Sequence, residues 1–158
     1  MSNTDDIFLA ASEPLQTIVD WLSRTLQLEP LEDPELEEGT YLFRGHARNR
    51  DGELVFVVEP NTYGEADPEP EDVSAIDRYT GVVEVRLVGK KDEESQAREA
   101  RAVFDELAAG RPDVALVLSH ALSLIIAAYL PGSGVHDFPP GTTLDVPDAD
   151  AWRPWVVA

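Results

Sequence analysis

The apolar positions of this chain change their period several times, and each change marks an element. Ile7 to Ala11 is a short apolar segment without helical period and predicts a first strand. Ser12, Glu13 and Pro14 follow as an N-cap oxygen, an acid at the positive helix end and a first-turn proline whose missing N–H costs nothing. The helix they open carries its apolar stripe on Leu15, Ile18, Val19, Leu22 and Leu26, with Trp21 bordering it as a packing residue. Residues 40–48 and 53–59 read as two strands joined through Asn49-Arg50-Asp51-Gly52, where Asp-Gly is the hairpin signal. Val82 to Val88 alternates Val83, Val85 and Leu87 against Glu84 and Arg86, a strand that Gly89-Lys90-Lys91 turns. Asp92 caps a second helix whose buried stripe is Ala97, Ala100, Val103, Phe104, Leu107 and Ala108, with Gly110 at the C′ position.

Val114 to Leu130 is the densest aliphatic run. It is shorter than the ~20 apolar residues of a membrane span and contains Ser119, His120 and Ser123. Residues 114–118 suit a strand covered on both faces. Residues 121–130 stay open: Leu122, Ile125, Ile126 and Tyr129 share one helix face, while Leu124, Ile126, Ala128 and Leu130 alternate as a strand would. Residues 131–158 are rich in proline and glycine and predict little regular structure. They nevertheless carry Phe138, Trp152, Trp155, Val156 and Val157, enough apolar mass to wrap back on the domain.

In this order the elements assemble into one α+β domain over residues 1–158. A mainly antiparallel sheet with two or three helices packed on one face, a ferredoxin-like variant, satisfies the order. Between these elements lie two acidic, proline-bearing loops, 29–39 and 62–78.

Charge alters the picture more than any motif. The chain has 31 acidic and 12 basic residues, a formal net charge of −19. Such a surface repels phosphate backbones and anionic lipid headgroups, which argues against nucleic-acid and membrane partners and for a basic protein. The absence of cysteine excludes disulfides and thiol chemistry and fits a reducing cytoplasm. The N-terminus has acids where an export signal needs positive charge.

Candidate chemistry is sparse. His46, His120 and His136 have no ligand or base at a diagnostic spacing, and each reads first as structural. Ser119-His120 places a hydroxyl beside an imidazole without G-x-S-x-G or a local acid, and Gly132-Ser133-Gly134 lacks the spacing of a phosphate loop. No metal site or cofactor is predicted. Arg44, Arg48 and Arg50 could pair with Glu35, Glu37 and Glu38. What remains are the carboxylates of the loops: Glu32, Asp33, Glu35, Glu37 and Glu38 on the first, Glu65, Asp67, Glu69, Glu71 and Asp72 on the second. If they converge, they form a negative rim that steers a basic protein in and occupies its cationic groups.

In size, in the EPLEDPELEE and EADPEPED runs, and in lacking both cysteine and catalytic motifs, the chain resembles the small acidic cytoplasmic immunity proteins that bacteria keep beside polymorphic secreted toxins. The resemblance is one of general character. It implies a tight, stoichiometric inhibitor that covers a toxin active site. Two further readings stand beside it: a small enzyme or ligand-binding domain with a pocket near the histidines, and a homodimer that docks through Trp152 and Trp155.

Overall fold

The structure, a computed structural model, describes residues 4–89 and 92–157, so the turn expected at Lys90 and Lys91 lies outside the described residues. In chain order the elements are β1 (Asp5–Ala10), α1 (Leu15–Thr25), β2 (Glu29–Pro30), β3 (Tyr41–His46), β4 (Glu53–Pro60), β5 (Gly81–Leu87), α2 (Glu93–Gly110), β6 (Ala115–His120), β7 (Leu124–Leu130), β8 (Gly134–Asp137) and α3 (Ala149–Trp152). The eight strands form one sheet in the order β2-β3-β4-β5-β1-β6-β7-β8, and every neighbouring pair is antiparallel. This is the α+β arrangement expected, in a variant whose central strand β1 lies between β5 and β6. Among the described residues no helix is long and apolar enough to cross a membrane.

Alternation along the strands divides the core in two. Ile7, Leu9, Val83, Val85, Leu116 and Leu118 point to one face and are covered by α1 and α2 through Ile18, Leu22, Val103, Phe104 and Leu107. Phe8, Val82, Val117 and Ala128 point to the other face. There they meet Ala75, Ile76 and Tyr79 from the second acidic loop and Phe138, Leu144, Trp152 and Val156 from the C-terminal segment. The C-terminal residues do wrap back, with more regular structure than composition suggested: β8 joins the sheet and α3 buries Trp152 at 3 % exposure. A Trp152 held this way packs within its own chain.

Several boundaries differ from the sequence reading for identifiable reasons. Residues 124–130 form a strand, because pairing with β6 on one side and β8 on the other satisfies their backbone where an isolated helix would leave the β6 edge open. The turn before it places Ala121 and Leu122 at φ of 55°, a left-handed pair that Asn-Gly would occupy more easily. Ser12 caps nothing: the N-cap of α1 is Pro14 without a side-chain bond, and Glu13 is drawn instead to Arg111, 2.5 Å away. Asp92 does cap α2, accepting from the Ser95 N–H at 2.8 Å. Gly110 closes α2 inside the helix; its missing side chain lets α1 approach, since a Cβ there would meet Thr25 Cγ2 at 3.2 Å. Ala97 is exposed, and the buried turns of α2 carry Gln96 and Glu99 in its place.

Candidate partner-binding site

The sheet register attaches the two acidic loops at the same end. β1 ends at Ala10 beside the start of β5, and Pro60 of β4 lies opposite Gly81, so the 62–78 loop leaves that end. Tyr41 opens β3 opposite Val58, so the 29–39 loop arrives at the same end on the neighbouring strand. The first loop stays at the rim, while the second turns through a short 3-10 segment, Pro70–Asp72, and folds back over Phe8 and Val117.

All ten loop carboxylates named from the sequence are exposed. Glu32, Asp33, Glu35, Glu37 and Glu38, with Glu65, Asp67, Glu69, Glu71 and Asp72, form no ion pair among the described residues. The expectation that Arg44, Arg48 and Arg50 pair with Glu35, Glu37 and Glu38 is overturned. Arg44 pairs with Glu29 at 2.9 Å and with Glu53, and Arg48 with Glu106 at 2.7 Å. The cause is register. β2 sets Glu29 directly across from Arg44, and the hairpin loop carrying Arg48 is folded against α2. There Glu99, 1 % exposed, accepts the backbone N–H groups of Arg48 and of Asn49, the latter at 2.9 Å.

Below the loops, the face opposite the two long helices is uncovered over β3, β4 and part of β5. Leu42 and Val57 stand opposite each other there, and Val55 lies between Arg44 and Arg86; all three are half-buried and belong to neither core. Tyr63, 49 % exposed, borders this area, its ring and that of Phe8 in a T-shaped pair with 6.3 Å between centroids. In the same row of the sheet Glu84 faces Asp6 across the β1–β5 ladder, two carboxylates directly opposite one another. Burial, reinforced by the charge of Glu84 and opposed by the Thr4 hydroxyl bond at 2.8 Å, pushes the Asp6 carboxyl up to about 6. Glu84 is held by Arg86 through two bonds of 2.9 Å. Asp5 and Asp6, read from the sequence only as acids unsuited to an export signal, are among the most buried carboxylates of the chain. Their position at the head of an apolar strand was the available signal.

The histidines do not converge. His46 is on β3 and His120 on β6, four strand steps apart, or about 19 Å. His136 lies two strands further still. His120 Nδ1 is 2.8 Å from Asp5 Oδ1, and Asp5 in turn accepts from Gln96 Nε2 at 2.9 Å, so this imidazole is tied into the helix-covered face. Ser119, its neighbour in sequence, points to the opposite face and is fully buried, which separates hydroxyl from base. His136 stacks on Trp155 with centroids 4.2 Å apart, part of the packing of the C-terminal segment. Gly132-Ser133-Gly134 forms the β7–β8 turn. Among the described residues no group of three His, Asp or Glu side chains is placed to hold a metal ion.

No family model, curated protein or solved structure matches this chain.

Proposed function

We propose that the chain is a non-enzymatic binding protein that captures a basic protein and blocks it, in the manner of an acidic immunity protein against a cognate toxin. The observation that carries this reading is the set of ten exposed carboxylates, on two loops attached at the same end of the sheet, that the chain's own arginines leave unpaired. An unpaired negative rim raises the rate of encounter with a cationic surface, and the adjoining Leu42, Val55, Val57 and Tyr63 offer the desolvated contact that slows dissociation. The setting proposed is the bacterial cytoplasm, with the chain acting as a monomer or homodimer and needing no cofactor.

The reading of a histidine-lined pocket is not supported by any grouping of the three imidazoles. Co-expression with the protein encoded beside this gene tests the binding reading: a basic product that co-purifies and loses its activity supports it. A neighbour product that stays active and unbound in low salt counts against it.

A further inference from the structure

Beside the second acidic loop is a cavity of about 390 Å³ that the C-terminal segment creates when it folds back. One wall is Pro68, Val73 and Ser74; the other is Trp152, Val156 and Val157. The cavity is pinned open by bonds on both sides: Ala75 N–H donates to the Leu144 carbonyl at 2.9 Å, and Val157 N–H to the Tyr79 hydroxyl at 3.2 Å. Its volume falls at the small end of ligand pockets, ~300–1,000 Å³.

Arg44, Arg48, Arg86, Arg98, Arg101 and Arg111 each close on a carboxylate. Four of the ten arginines, Arg24, Arg50, Arg78 and Arg153, have no carboxylate within 4.0 Å among the described residues, and two of these four, Arg78 and Arg153, line the cavity. Arg78 donates one long bond, 3.4 Å, to the Ala66 carbonyl, and Arg153 lies 5.5 Å from the Trp152 ring centroid, beside the apolar wall. Of the two acids in the lining, Asp77 accepts from the Ser74 and Glu65 N–H groups at 2.8 and 3.2 Å, which fixes its carboxylate in the loop. Asp67 is exposed at the loop. The indole N–H of Trp152 is engaged by the Asp145 carbonyl at 3.1 Å. What this side chain presents to the cavity is therefore ring carbon.

We propose that this cavity binds a small apolar carboxylate, its anion held between Arg78 and Arg153 and its hydrocarbon part against Val73, Trp152 and Val156. Guanidinium groups pair with carboxylates through two parallel bonds, which fixes the orientation of the ligand. Asp67 and Asp77 stand in the same lining and oppose an anion, so binding rests on the two guanidinium groups outweighing them, while the carboxylates farther off matter less. At physiological salt, charges beyond about 8 Å are largely screened, whereas a pair in contact is not.

The test is a calorimetric titration of the full chain with hexanoate, hexylamine and acetate, with tryptophan fluorescence as a second readout. Saturable hexanoate binding is expected, with acetate weaker for want of a tail and hexylamine not binding. In an R78Q/R153Q double variant hexanoate affinity falls about tenfold or more. If that variant melts early, Val73→Phe fills the cavity without touching its charge and weakens hexanoate by a similar factor. The proposal is overturned by hexylamine binding as well as hexanoate, by no saturable hexanoate binding, or by hexanoate affinity unchanged in the variant that remains folded.

Discussion

Arg44 lies 2.9 Å from Glu29 across the β2–β3 ladder, so this arginine is neutralised by its own strand partner and the carboxylates from Glu32 to Glu38 on the first acidic loop are left to solvent. Internal compensation of that loop would make its carboxylates contributors to stability. Replacing Glu35, Glu37 and Glu38 together with glutamine is therefore expected to leave the unfolding free energy within about 0.5 kcal/mol of the parent, or to raise it. Chemical denaturation measures this, and a loss above ~1 kcal/mol would show that the loop is paired after all.

Asp6 makes the pH profile of stability asymmetric. Its carboxyl titrates at about 6 in the folded chain, against 3.8 when unperturbed, so between those values the folded state holds a proton that the unfolded state has released. Stability conferred by this group is greatest at low pH, falls as pH rises through that window, and is level above it. Asp6→Asn removes the buried charge and retains a Thr4 partner. It is expected to stabilise the chain at pH 7 by roughly 2 kcal/mol and to have little effect at pH 4. Melting curves of parent and variant at both pH values decide this; an equal shift at each would refute the assignment.

Glu99 holds the hairpin loop to α2 through two backbone N–H groups, and its own burial leaves no water to replace it. Glu99→Ala should cost about 3 kcal/mol, since it removes a charged acceptor and strands the Arg48 and Asn49 donors. Glu99→Gln, which keeps one acceptor, should cost less. Amide exchange at Arg48 and Asn49 is the direct check, with protection lost in the alanine variant and partly kept in the glutamine one.

Trp152 closes the second core against Phe8's side of the sheet. Its truncation to alanine is expected to destabilise by about 3–5 kcal/mol and to leave the molecular mass in solution unchanged. A change of mass with little change of stability would return this residue to an interface between copies.

Much of the fold was legible because burial and period coincide. The alternation in β5, the stripe of α1 and the cap at Asp92 each contain their own explanation. Residues 121–130 carried two periods at once, and only pairing with β6 and β8 selects the strand. The left-handed turn at Ala121 and Leu122 has no residue that announces it. On α2 apolarity favoured Ala97, yet Gln96 and Glu99 take the inner positions because Asp5 and the hairpin loop supply polar partners there. Likewise the loop carboxylates could be named from the sequence, while the attachment of both loops at one end of the sheet depended on strand order, and their lack of counter-cations on register.

Recognition of a basic partner protein by the loop carboxylates is the proposal on which the function rests. Its most direct test is the affinity of the neighbour-encoded protein for the parent chain and for a variant with all ten loop acids converted to amides, each measured from low to physiological salt. The parent is expected to bind tightly with an affinity that falls steeply as salt rises, and the variant to bind weakly with a shallow dependence. Equal affinity and equal salt dependence for the two would rule out recognition through these carboxylates.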